Sequence, residues 1–172
     1  MALIKAVHGI HPVIGKGCFL ADNATITGEV VLGDNCSVWF NAVVRGDVTH
    51  IHIGNNVNIQ DNVTIHGTYK KAAVEIGNNV SIAHNAIVHG CTIRDNVLIG
   101  MGAILMDHVV IESNSIIAAG ALVPKGTTVE SGSVYAGVPA RKIKDIDRDL
   151  IEGEIERIAN SYNIYAGWYK KG

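Results

Sequence analysis

The chain has 172 residues, 48% hydrophobic but only 5% aromatic, and a formal charge of −2. That length suits one domain with a continuous core built from Val, Ile and Ala. The charge argues against nucleic acid or an anionic membrane as main partner, and no run reaches the roughly 18 apolar residues of a spanning helix. The N-terminus lacks a signal-peptide pattern, so the expected location is cytoplasmic.

Residues 1–13 read as a lead-in. From Ile14 an aliphatic residue recurs every six positions: Ile14, Leu20, Ile26, Leu32, Val38 and Val44, then Ile53, Ile59 and Ile65, then Ile76, Ile82 and Val88. A last block runs Ile93, Ile99, Leu105, Ile111, Ile117, Val123 and Val129. Two residues before most of these stands a small residue or Val, among them Cys18, Cys36 and Cys91. One aliphatic plug per hexapeptide is the signature of a parallel β-helix with three short strands per coil. Nineteen hexads predict about six triangular coils over 14–137. Gly-Asn pairs such as Gly54-Asn55-Asn56 supply the positive φ that tight corners require. Three cysteines with packing positions imply a reducing compartment and no disulfide framework.

Three irregularities interrupt the period. Val44 to Ile53 is nine residues, Ile65 to Ile76 eleven, and Val88 to Ile93 five. They bracket the histidines, and insertions on repeat scaffolds tend to carry function. After Val138-Pro139 the spacing of Ile146, Leu150, Ile151, Ile155, Ile158, Ala159, Tyr162 and Tyr169 becomes helical, with Lys170-Lys171 at the end. The expected organisation is a β-helix with its lead-in over 1–139 and an amphipathic helix over 140–172, lying on one face of the prism or across a neighbour.

His66 and His89 both follow a repeat aliphatic by one, and removal of the five inserted residues leaves them one coil apart. Arg45 occupies the same position a coil earlier. The three should form a vertical column at a spacing of about 4.8 Å, close enough for two imidazoles to converge on one ion. His84 belongs to the preceding face, and a corner keeps it from the pair within one prism. A neighbouring subunit of a parallel trimer could bring it there. Three His with an open position is the catalytic zinc pattern. Asp61, one coil before His84, is a candidate to orient an imidazole or pair with Arg45. His50 and His52 read as an exposed pair, and His8, His11 and His108 as structural or solvated. Trp39 and Phe40 are expected to pack against the helix or a neighbour.

At Arg45-Gly46-Asp47, Gln60-Asp61, Ile65-His66-Gly67 and His84-Asn85-Ala86-Ile87-Val88-His89-Gly90-Cys91 the chain resembles a gamma-class carbonic anhydrase, and the likeness runs through Tyr135-Ala136-Gly137-Val138-Pro139-Ala140 to the closing helix. The resemblance implies an all-β, left-handed parallel β-helix and a homotrimer. It also implies a zinc ion, or Fe2+ or Co2+, held by His66, His84 and His89, which hydrates carbon dioxide to bicarbonate. Arg45 and Asp47 would stabilise the subunit interface, Gln60 would orient the hydroxide, and Tyr162 would reach the site from the helix. The long form of the family carries proton-shuttling glutamates in an acidic loop after Arg-Gly-Asp. This chain has Val48-Thr49-His50 there, and no acid in Thr68-Tyr69-Lys70-Lys71-Ala72-Ala73, so it resembles the short-loop form. Two other readings share these features: a hexapeptide-repeat acyltransferase or acyl-CoA thioesterase with a His base, and a non-catalytic metal-binding trimeric scaffold.

Overall fold

The computed structural model describes residues 1–169. Short strands stack in parallel on three faces of a prism. The first face carries Leu3–Lys5, the leading parts of Thr25–Leu32 and Val43–Ile53, then Thr64–His66, Ile87–His89, Ile104–Leu105 and Leu122–Val123. On the second lie Val13–Ile14, the trailing parts of the same two long strands, Val74–Ile76, Thr92–Ile93, Val110–Ile111 and Thr128–Val129. Phe19–Leu20, Ser37–Val38, Asn58–Ile59, Val80–Ile82, Val97–Ile99, Ser115–Ile117 and Ser133–Gly137 form the third.

This is a solenoid of about seven turns, one more than the hexad count predicts. Both ends add a rung: Ile4 stacks on Ile26, and Tyr135 on Ile117. Ile4 falls out of the six-residue period and Tyr135 is not aliphatic, so neither registers in a search for the repeat.

The repeat builds the core by stacking like on like. On the first face Ile26, Val44, Ile65, Val88, Leu105 and Val123 lie in register, each at most 1% exposed. Each such burial stabilises by about 1.5–3 kcal/mol, and each turn depends only on its neighbours. Corners are made by Asn in the left-handed region, among them Asn56, Asn79, Asn96 and Asn114. Their amides form a ladder along one edge, at 2.8, 3.1 and 3.2 Å. Cys36 and Cys91 are buried in the wall, and Cys18 is partly buried.

Residues 140–145, expected to begin the helix, instead form the antiparallel strand Ala140–Asp145 against Ser133–Gly137. It closes the last rung, whose backbone groups would otherwise form an open edge, and its exposed Arg141, Lys142 and Lys144 discourage further pairing. Asp147 then caps a helical segment by accepting from Leu150 N at 2.8 Å. A π-helical stretch, Ile151–Glu156, leads into the α-helix Arg157–Tyr169. Buried Ile155, Ala159 and Ala166 face the prism. Trp39 anchors the contact, with ring centroids 5.3 Å from Tyr162 and 5.7 Å from Tyr169. Lys170 and Lys171 lie outside the described residues.

Candidate metal centre

Register places Arg45 beside His66 and His66 beside His89 on three consecutive rungs of the first face. Because Val44, Ile65 and Val88 point inward, the next residue on each strand must point out. His66 Nδ1 and His89 Nε2 lie 3.4 Å apart.

The remaining ring nitrogens are each held by a carboxylate. His89 Nδ1 lies 2.6 Å from Asp107 Oδ1, and His66 Nε2 lies 3.0 Å from Asp47 Oδ1. Asp47 also accepts from Arg45 at 2.6 Å, and Asp107 from the Thr68 hydroxyl at 2.6 Å. Burial would raise both carboxyls. For Asp47 the hydrogen bonds from Arg45 and His66 outweigh it, and for Asp107 those from Thr68 and His89, so both titrate below the usual range. An ionised carboxylate only accepts, so the facing ring nitrogens donate. His66 Nδ1 and His89 Nε2 are left facing each other, placed to share a cation between them.

His84 stands at the corner leaving the third face. Its Nδ1 is 2.9 Å from Asp61 Oδ2, and its backbone N–H donates to Gln60 Oε1 at 3.2 Å. Gln60 is 3% exposed and its amide nitrogen donates to Asn58 at 2.9 Å, so both ends of this side chain brace the corner. Tyr162 Oη lies 3.3 Å from His84 Nε2. Burial first, then the Asp61 charge, pushes this phenol up to about 12. A groove of about 360 Å³ runs between helix and wall here, lined by Gln60, His84, Leu98, Met101, Ile158 and Tyr162.

His66, His84 and His89 do not converge within one chain. Among the described residues, the single group of three His, Cys, Asp or Glu donors mutually within 4.8 Å is His50, His52 and Glu75. Sequence reasoning missed Asp107 as partner of the His89 ring, Thr68 as the donor that holds Asp107, and Glu75 as partner of the two exposed histidines. Extension of the histidine column by one more coil would have reached Met106-Asp107; nothing in the spacing points to Thr68, which an insertion carries there.

The donor set fits a divalent transition ion. Two nitrogens bound tetrahedrally at 2.0–2.1 Å are about 3.3 Å apart, which matches the separation of His66 Nδ1 and His89 Nε2. A carboxylate behind each imidazole is the arrangement that orients metal-binding rings.

A prism of stacked hexapeptides with a closing helix defines the class of hexapeptide-repeat proteins. The family described as bacterial transferase hexapeptide (six repeats) matches residues 11–46 and 90–125. A carbonic anhydrase of Geobacillus kaustophilus is 41% identical over 98% of this chain and 91% of its own length. The mitochondrial gamma carbonic anhydrase 2 of Arabidopsis thaliana is 40% identical over 90% of this chain, which spans 56% of that longer protein. A Bacillus cereus crystal structure, provisionally described as an acetyltransferase, superposes with a TM-score of 0.94 at 35% identity, covering 98% and 97% of the two chains. The chain belongs to the gamma-class carbonic anhydrase-like family of hexapeptide-repeat proteins, and its solenoid is the left-handed β-helix of that group.

Proposed function

We propose that the protein is a metal-dependent carbonic anhydrase working as a homotrimer, with His66 and His89 of one protomer and His84 of another holding a zinc-type ion. The observation that carries this reading is the pair of facing ring nitrogens on His66 and His89, 3.4 Å apart with their opposite nitrogens held by carboxylates. Two nitrogens so placed need a shared cation, a proton or a metal ion, between them, and their spacing is that of two ligands on one ion. When bound, the ion would supply the Lewis acidity that lets a water ionise near neutral pH.

The chain's own residues do the rest. Asp47 and Asp107 keep the ring protons on His66 Nε2 and His89 Nδ1. Asp61 does the same for His84 Nδ1, and Gln60 fixes the backbone of that corner. Tyr162, protonated throughout the physiological range, lies 3.3 Å from His84 Nε2, the nitrogen left to bind the ion, and would give up that contact when the ion binds. The largely apolar groove beside His84 suits carbon dioxide, which carries no charge to desolvate. Reaction of carbon dioxide with water yields bicarbonate and a proton. With no acid in 67–73 to carry that proton away, solution buffer does so.

A second reading, transfer or hydrolysis of an acyl thioester, is favoured by the same groove, which exceeds what carbon dioxide needs, and by the description of the Bacillus cereus neighbour. The deciding experiment is metal analysis with stopped-flow carbon dioxide hydration on zinc- and iron-loaded protein, beside an acyl-CoA hydrolysis assay. Metal with hydration that rises with buffer concentration supports the anhydrase. Metal with thioester cleavage alone supports the alternative, and the absence of both metal and hydration overturns the proposal.

A further inference from the structure

A second group of metal-ligating side chains lies outside the centre just described. His50 and His52 flank Ile51 in the strand Val43–Ile53. Side chains two apart on a strand point the same way, and Ile51 is fully buried, so both imidazoles project outward together. Their ring centroids are 4.6 Å apart. Glu75 is the register partner of His52 on the next rung, between buried Val74 and Ile76. Its Oε1 lies 2.7 Å from His50 Nε2 and 3.5 Å from His52 Nδ1.

We propose that His50, His52 and Glu75 form a peripheral binding site for a divalent transition ion of the zinc, nickel or copper type. Three features point this way. The donors already lie mutually within 4.8 Å, and tetrahedral ligands at 2.0–2.1 Å need about 3.3 Å, a gap that small side-chain rotations close. His52 and Glu75 stand opposite each other on hydrogen-bonded rungs, and His50 directly precedes buried Ile51 in the same strand.

No competing cation blocks the carboxylate, which is the third feature. Among the described residues the ion pairs of Glu75 are with these two imidazoles alone. The outward column above and below is Val13, Val31, Thr92, Val110 and Thr128, none of them charged. Two neutral rings and one carboxylate select nitrogen-preferring transition ions over Mg2+ or Ca2+. The side chains are 38%, 48% and 46% exposed, so water or a further ligand completes the coordination.

Calorimetric titration of Ni2+ and Zn2+ into the full chain tests this, using wild type, His52→Asn, Glu75→Gln and His66→Ala. The expected result is two binding steps in wild type. His52→Asn should abolish one step, Glu75→Gln should weaken that same step at least tenfold, and His66→Ala should remove only the other. Because the side chains are partly exposed, His52→Asn should leave the oligomeric state and circular dichroism unchanged, so a loss reports binding rather than misfolding. If His52→Asn and Glu75→Gln bind the same number of ions as wild type, the group is only a His–Glu ion pair and the proposal falls. A wild type whose single step is removed by His66→Ala overturns it too, while leaving the anhydrase reading intact.

Discussion

Asp107 and His89 share an edge of the prism one turn apart, and the carboxylate accepts from the imidazole Nδ1 at 2.6 Å. That contact directs the other nitrogen, Nε2, toward His66. A metal-binding ring fixed from behind loses less freedom on coordination, so the aspartate belongs functionally to the site although it touches no ion.

Asp107→Asn keeps the shape of the side chain and removes its charge. Metal affinity should fall by about 10–100-fold, measured by competition with a chelator, while the thermal unfolding of metal-free protein changes little. Unchanged affinity would mean that the carboxylate is only a surface partner.

Gly90 makes that contact possible. Its φ is +53°, and a Cβ there would strike Asp107 Oδ1 and come within 2.7 Å of the Ala72 Cβ. Gly90→Ala should cost about 1–3 kcal/mol of stability through backbone strain and weaken metal binding by displacing Asp107. Urea denaturation reads the first effect and chelator competition the second.

Cys91 lies at the small inward position of the repeat, where burial first, then the charge of Asp107, pushes its thiol up to about 12. A folded pKa raised above the unfolded value of about 8.5 contributes stability that is complete below pH 8.5 and is lost as pH rises toward 12. Denaturation midpoints should therefore fall between pH 8 and 10, and less steeply in Cys91→Ala. The native thiol should also resist iodoacetamide at pH 8. Equal slopes in both proteins would show that other groups govern the alkaline loss.

Trp39 joins helix to wall: it is 6% exposed, meets Tyr162 and Tyr169, and its indole N–H donates to Ser37 at 3.0 Å. Trp39→Ala should cost about 3–5 kcal/mol. Hydrogen exchange should quicken across Arg157–Tyr169 while strands far along the solenoid keep their protection, because each turn contacts only its neighbours.

The inward column and the facing of Arg45, His66 and His89 were legible in the amino-acid order. In a solenoid with a fixed repeat, residue number translates directly into height and face. The insertions could be counted, so their effect on register could be removed, and the pairing Arg45–His66–His89 follows. The end rungs were not legible, because Ile4 breaks the period and Tyr135 departs from the aliphatic pattern. Nor was the strand Ala140–Asp145, whose pairing answers the open edge of the last rung rather than any local preference.

Two further relationships came only from tertiary structure. The inserted segment 67–73 folds back so that Thr68 reaches Asp107, and the first insertion delivers His50 to Glu75, 25 residues later. A repeat dictates what stacks within its rungs. What an insertion touches depends on the path the chain takes outside them, and that path is set by sterics and hydrogen bonding among residues far apart in sequence.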